Sequence, residues 1–316
     1  MKITDHFKNA EGKTLISFEV LPPLKGGSMS DIFETLDPLM EFKPPFIDVT
    51  YHREEFVYNK RASGYYEKTA IRKRPGTVGI CASIMHHYGV DAIPHLICGG
   101  FSKEETENAL IDLQFLGIHN VLALRGDARK FEDKFIPESD GHKYAVELVQ
   151  QINEMNHGKY LDTSIERGAK TDFCIGVAGY PEKHFESPNF KQDIEHLKEK
   201  IEAGAGYIVT QMFFDNKKFF SFKKACEDAG ITVPIIPGIK PLTKKYQLNS
   251  IPRKFFVDFP EELVKEVVNT HEDAIVDLGI EWCISQCKEL KEAGVPCIHF
   301  YTMSDSKIIY KVAEKL

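Results

Sequence analysis

The sequence predicts an α/β protein of the (β/α)8 TIM-barrel class, one single-domain barrel over residues 1–316. Three observations carry that expectation. Eight short β-branched runs alternate with helix-length stretches. No linker rich in Pro, Gly or Ser divides the chain, and 316 residues suit a barrel of ~250 residues or more. No strand is followed by the G-x-G-x-x-G phosphate turn of a doubly wound open sheet, the competing architecture.

The predicted strands are residues 15–20, 46–51, 92–97, 121–126, 174–179, 207–212, 233–238 and 297–302. Several are apolar nearly throughout (VLALRG, CIGVAG, VPIIPG), as parallel strands covered on both faces should be. Of the helices between them, the clearest opens at Ser102 with Glu105 three residues on, a capping box, and stacks Ala109, Leu113 and Leu116 on one stripe. A second carries Ile194, Leu197 and Ile201. Leu116-Gly117, Ala203-Gly204, Ala229-Gly230 and Ala293-Gly294 each precede a strand by a few residues, and a glycine there ends a helix in the left-handed conformation. Two polar segments are longer. Residues 128–142 follow the fourth strand, where a lid over the barrel mouth belongs; residues 157–172 precede the fifth and belong to the opposite face.

Composition narrows the function. Forty Lys+Arg against 47 Asp+Glu leave a net charge of −7, so the basic footprint of a nucleic-acid binder is missing. No run approaches the ~18 apolar residues of a membrane helix, and the first residues carry no export signal. Seven cysteines, odd in number and without a C-x-x-C pair, read as reduced thiols of a cytoplasmic protein, with Cys283 and Cys287 as core packing.

In such barrels the chemistry sits at the C-terminal strand ends. Here those ends carry Glu19; Asp48, Thr50 and Tyr51; His95; Arg125-Gly126-Asp127; Tyr180, Glu182 and His184; Thr210-Gln211; and His299 with Tyr301. Metal chemistry is not expected, because no H-x-H, H-E-x-x-H or cysteine cluster is present, and His86-His87 read as surface residues. Lys240 is the one plausible Schiff-base lysine, but a solvated loop lysine is the expected reading. What remains is acid–base and electrostatic chemistry around a flat polar ligand. Glu19 lies among Phe18, Val20, Leu21 and Pro22, where burial raises a carboxyl pKa toward neutrality and makes a general acid. A structural Glu is the alternative. Asp127 either faces the ligand or closes its loop by pairing with Arg125. Gln211 suits a heterocycle edge, and Phe213-Phe214 suit core packing.

Taken together, eight strings resemble one family. Phe18-Glu19-Val20-Leu21-Pro22-Pro23, Asp48-Val49-Thr50-Tyr51, His95-Leu96-Ile97-Cys98, Ala123-Leu124-Arg125-Gly126-Asp127, Tyr180-Pro181-Glu182 with His184, Gln211-Met212-Phe213-Phe214-Asp215, Ile236-Pro237-Gly238 and His299-Phe300-Tyr301-Thr302 are similar to the motifs of methylenetetrahydrofolate reductases, in family order, one per strand. The resemblance implies a cytoplasmic oxidoreductase holding FAD in the barrel mouth. NADH or NADPH, more often NADH in bacterial members, reduces the flavin. The flavin then reduces 5,10-methylenetetrahydrofolate to 5-methyltetrahydrofolate in a ping-pong scheme that feeds methionine synthesis. Because the chain stops one helix after the eighth strand, it implies no regulation by S-adenosylmethionine through a further domain; barrel helices make a homo-oligomer the expected assembly.

Residue by residue, the resemblance gives Glu19 the role of general acid and Asp127 that of the carboxylate by the pterin and flavin. Thr50, Tyr51, His95, Arg125, Gly126, Asp127, Tyr144, Ala145, Tyr180, His184, Asp193 and Lys200 match flavin-contacting positions. Gln211, Gln247 and Tyr301, with Glu19 and Asp127, match substrate contacts. The chain departs from the pattern in places. Asp305, between Ser304 and Ser306, stands where enterobacterial members have an arginine, and Ile251 where some have a stacking aromatic. Ile97 replaces a threonine, and His52-Arg53 replace small residues, which makes Arg53 a candidate for an anionic-tail contact. Other readings are a flavin-free reductase of the same substrate, another flavin barrel such as a proline dehydrogenase, and a folate- or flavin-binding protein without turnover.

Overall fold

A parallel sheet closes into the predicted barrel in a computed structural model that describes residues 1–53, 55–71, 74–129, 132–302 and 306–316. In chain order the elements are α1 (Ile3–Asn9), β1 (Leu15–Val20), α2 (Met29–Leu36), β2 (Phe46–Val49), β3 (Glu55–Lys60), β4 (Tyr66–Ile71), α3 (Thr77–Tyr88), β5 (Asp91–Ile97), α4 (Lys103–Phe115), β6 (Asn120–Leu124), α5 (Ala145–Asn156), β7 (Cys174–Gly179), α6 (Phe190–Glu202), β8 (Tyr207–Thr210), α7 (Asn216–Asp228), β9 (Ile235–Ile236), β10 (Gly238–Ile239), α8 (Gln247–Phe255), α9 (Glu261–Asn269), α10 (Ile275–Glu292), β11 (Cys297–Tyr301) and α11 (Ser306–Ala313).

The sheet runs β10-β11-β1-β2-β5-β6-β7-β8-β9, and its two ends are the halves of the seventh predicted strand, parted by Pro237. Proline has no N–H to give a ladder. β9 therefore pairs with β8 on one side and β10 with β11 on the other, and the Pro237 carbonyl accepts from the His299 N–H at 3.0 Å. The predicted strands at 46–51, 121–126 and 207–212 end earlier, at Val49, Leu124 and Thr210; the residues beyond leave the sheet and build the mouth. The hairpin β3–β4 is an addition to the predicted elements. Two runs rich in Tyr, Phe, Val and Thr flank Ala62-Ser63-Gly64, with Gly64 at φ +85°, and they pair antiparallel on the mouth side.

Local signals hold elsewhere. Ser102 Oγ accepts from the Glu105 N–H at 3.1 Å and the Glu105 carboxylate accepts from the Ser102 N–H at 2.8 Å, so α4 opens with the predicted capping box. The four junction glycines all have positive φ, from +70° at Gly294 to +122° at Gly204.

The barrel interior has two zones. Its lower zone is apolar, formed by Phe46, Ile93, Leu122, Cys174, Tyr207, Val209, Ile236 and Cys297, and Ile3 of α1 plugs it from below. Gly176 makes room there: a Cβ on it would lie 2.2 Å from the Tyr207 ring. The upper zone is polar. Outside, strand faces and helices share the larger core, which buries Phe213, Cys283 and Cys287 as expected. The seventh βα unit adds α8 and α9 over a satellite core of Met212, Phe214, Leu242, Ile251, Leu263 and Val267.

Candidate active site at the barrel mouth

Strand register brings the polar residues together. Glu19 stands beside Asp48 on β2 and Tyr301 on β11, and Asp48 stands beside Ile93, two residues before His95 on the same face of β5. The resulting inner layer is nearly dry: Ser17, Asp48 and His299 are at most 1% exposed, His95 5%. His95 Nε2 lies 3.6 Å from Glu19 Oε2 and 3.4 Å from Asp48 Oδ2. Below, His299 Nδ1 lies 3.9 Å from Asp48 Oδ1 and 2.9 Å from Ser17 Oγ. Neither Asp48 oxygen nor His95 Nε2 has a hydrogen-bond partner at these distances. Tyr301 donates its hydroxyl to the Thr210 carbonyl at 2.6 Å, and Thr302 Oγ1 donates to the Glu19 carbonyl at 2.6 Å, which fixes the strand ends on either side of Glu19.

Burial pushes Glu19 up to about 7; the charge of Asp48 adds to the rise, while His95 and Lys240 oppose it. For His95, burial alone would lower the pKa, but Asp48 and Glu19 outweigh it and hold the imidazole above its ordinary value. The Glu19 shift is readable in the sequence from its apolar neighbours. Asp48 and His299 read there only as polar strand ends, and Ser17 is missed. Their inward parity along β1, β2 and β11 is the available signal. Lys240 corrects the expectation of a solvated lysine: it is partly buried after β10, and burial lowers its pKa beside Lys254 and Glu19.

The other predicted positions ring the same mouth. Thr50 Oγ1 is buried without a partner, and the Tyr51 ring packs on Phe101 at 5.0 Å. Gly126 takes φ +83° with Ile97 3.3 Å from where a Cβ would lie, so only glycine turns there without strain. Arg125 pairs with Glu186, not Asp127, which removes the loop-closing alternative and leaves Asp127 exposed. Tyr180 packs on His184 at 4.7 Å. Asp193 on α6 accepts from the His184 N–H at 3.1 Å and the Ser187 hydroxyl at 2.7 Å. Lys200, further along the same helix, donates to the Ala178 carbonyl at 2.7 Å, and burial pulls its pKa down to about 8. Tyr144 and Ala145 form the start of α5, with Tyr144 exposed.

Some expectations shift. Gln211 turns its Oε1 onto the Met212 N–H at 2.9 Å. Gln247, the first residue of α8, folds its Oε1 back onto the preceding loop, accepting from the Thr243 and Lys244 N–H groups at 2.7 and 3.0 Å. Ile251 is buried in the satellite core. Arg53 is bound to the segment after β6, 2.9 Å from Glu138 and 3.6 Å from Glu132, and it shares the Phe135 ring with Arg125. That segment therefore lies on the mouth, where a lid was expected, while Arg53 has carboxylates of its own. Asp305 and Ser304 lie outside the described residues. No helix among the described residues is long and apolar enough to cross a membrane.

A family model described as methylenetetrahydrofolate reductase matches residues 2–316. Among curated relatives, methylenetetrahydrofolate reductase (NADH) 1 of Arabidopsis thaliana is 31% identical over 320 residues, 97% of this chain and 49% of that protein. Methylenetetrahydrofolate reductase 1 of Schizosaccharomyces pombe is 32% identical over 321 residues, 100% of this chain and 48% of that protein. The chain thus spans about half the length of these relatives. The 5,10-methylenetetrahydrofolate reductase of Salmonella typhimurium is 29% identical over 310 residues, 97% of this chain and 92% of that protein. In structure, an uncharacterized Clostridium thermocellum protein that binds two copies of 5-methyl-5,6,7,8-tetrahydrofolic acid matches with a TM-score of 0.55 at 14% identity, covering 98% of this chain and 96% of its own, a likeness of fold.

Proposed function

The chain belongs to the methylenetetrahydrofolate reductase family, and on that premise we propose that it reduces 5,10-methylenetetrahydrofolate to 5-methyltetrahydrofolate, with NADH or NADPH as reductant and FAD as the hydride carrier between them. The observation that carries the reading is Glu19: a carboxyl buried at the mouth of the barrel and held near pKa 7, the acid that opening a methylene bridge requires.

The residues fit a flavin. Thr50 Oγ1 and His95 Nε2, both at family flavin positions, are buried polar atoms without a hydrogen-bond partner in the protein, and Lys200, partly buried, is a lysine at a third such position. With Tyr51, Arg125, Gly126, Tyr180 and His184 they would hold it, and Asp127, Gln211 and Tyr301 would meet the substrate. When bound, FAD supplies hydride transfer in two successive half-reactions, from the nicotinamide and then to the folate.

The chain's own part is the proton. Glu19 gives its proton to the leaving nitrogen of the imidazolidine ring; the C–N bond breaks and its electron pair stays on that nitrogen. The carbon is left as an iminium on the other nitrogen, and the exposed carboxylate of Asp127 stabilises the positive charge. Hydride delivery completes the methyl group, so each turnover consumes one proton through Glu19, and its near-neutral pKa lets it recover that proton from solvent. Glu19→Gln tests this assignment. The variant keeps its flavin and its reduction by NADH but loses folate reduction; loss of both half-reactions together would make Glu19 a structural residue.

A further inference from the structure

Beneath Glu19 lies a charged arrangement that the reaction as described does not use. Asp48 is 1% exposed, yet both its oxygens lack hydrogen-bond donors. A buried carboxylate in that condition is costly unless a cation stands next to it. The group placed to be that cation is His95, 3.4 Å away, which also lies 3.6 Å from Glu19. His299 approaches Asp48 from the other side at 3.9 Å, but its Nδ1 is engaged with Ser17 Oγ at 2.9 Å, and burial lowers its pKa, so it stays the neutral neighbour.

Two carboxyls therefore compete for one imidazolium in a site with little water. If His95 paired with Glu19, Glu19 would ionise and the acid would be lost. Resting on the reading above, we propose that Asp48 is a positioning residue for the folate half-reaction: it is the counter-ion of the His95 imidazolium, and by holding that cation it leaves Glu19 as the uncharged, proton-bearing carboxyl. An ionised Asp48, an imidazolium at position 95 and an uncharged Glu19 sum to zero charge, the balance that a low-dielectric interior favours. Without Asp48 the neutral cluster holds one proton fewer, and Glu19 and His95 must share it.

The groups that face this cluster do not offer another answer. Lys240, after β10, faces Glu19 and opposes its protonation; Tyr301 on β11 faces both carboxyls and stays a phenol, as does Tyr207 below Asp48. Burial pushes the Cys81 and Cys297 thiols near Asp48 up, so they remain neutral. His52 senses His95 from the rim, where burial and Arg74 lower its pKa.

Two experiments test the proposal. In the wild-type holoenzyme, selective 15N-histidine and 13C-carboxyl labelling follow His95 and Glu19 by NMR, with Glu19→Gln assigning the carboxyl. His95 should stay doubly protonated across the pH range in which Glu19 is still protonated. A neutral His95 beside a protonated Glu19 overturns the proposal. In Asp48→Asn, the pH midpoint of the folate half-reaction should move down by about one unit or more, a loss of about tenfold at pH 8. NADH should still reduce the flavin, and Asp48→Glu should restore the midpoint. An unmoved midpoint in Asp48→Asn also overturns it. Should that variant fail to fold, the NMR titration decides alone. It needs no turnover, so a wild type inactive on the folate refutes the functional reading while the ion pair is still judged on His95.

Discussion

Replacing Glu19 by glutamine should stabilise the protein at alkaline pH while it destroys folate reduction. The magnitude follows from the site. Burial lifts Glu19 from an ordinary 4.5 to about 7, a gap of about 2.5 units, and each unit is worth about 1.4 kcal/mol, or about 3 kcal/mol in all. The sign follows from proton binding. Between pH 4.5 and 7 the folded state keeps a proton that the unfolded chain has lost, so stability falls as pH rises through that window, and the whole penalty is present above pH 7. The side chain is only 12% exposed, so water screens little of it. Glutamine has no such penalty. Urea unfolding of wild type and Glu19→Gln at pH 5 and at pH 8 is the assay. Any packing change adds the same offset at both pH values. The variant should therefore gain up to about 3 kcal/mol on wild type in going from pH 5 to pH 8. An equal difference at the two pH values, or a wild type that gains instead, would show that the fold does not hold the proton on Glu19.

Three further outcomes are expected. Lys200 loses its charge above about pH 8, so flavin affinity, followed by fluorescence titration of stripped protein with FAD, should weaken through that pH, and Lys200→Met should be weak throughout; a flat pH profile for wild type contradicts this. Lys240 lowers the Glu19 pKa, so Lys240→Met should carry folate reduction to higher pH, seen as an upward shift of the rate midpoint; a downward shift would place Lys240 in another role. A Cβ on Gly279 would lie 1.7 Å from the Leu242 carbonyl, backbone against backbone, so Gly279→Ala must push α10 off the loop after β10 and should cost about 1–3 kcal/mol. A melting temperature within about 1 °C of wild type would show that the loop yields freely.

Much of this architecture is legible in the sequence because it rests on local signals. The apolar runs around Val121 and Ile175 read as strands since both faces of a barrel strand are covered, and the Ser102–Glu105 box and the junction glycines mark helix ends by chemistry alone. The hairpin escapes that reading, although its Tyr- and Val-rich runs around Ala62-Ser63-Gly64 carry the signal, because barrel regularity suggests a helix there. Pro237 splits a strand that its apolar neighbours Ile235, Ile236 and Ile239 present as continuous. At the site, Glu19 is legible from its own neighbours. Asp48, His299 and Ser17 are not, since their meaning lies in register: only pairing β1 with β2 and β11 puts them in one layer. Lys240 misleads for the same reason, the groups that surround it being far away in sequence, as are the carboxylates that Arg53 meets.

In the proposed reaction one mouth passes a hydride from nicotinamide to folate while Glu19 supplies the proton. The most direct measurement is an anaerobic absorption spectrum of the purified protein, taken before NADH, after NADH, and again after 5,10-methylenetetrahydrofolate. The expected result is a flavin spectrum that bleaches with NADH and returns with the folate. A colourless protein, or a flavin that NADH bleaches and the folate leaves reduced, would contradict it.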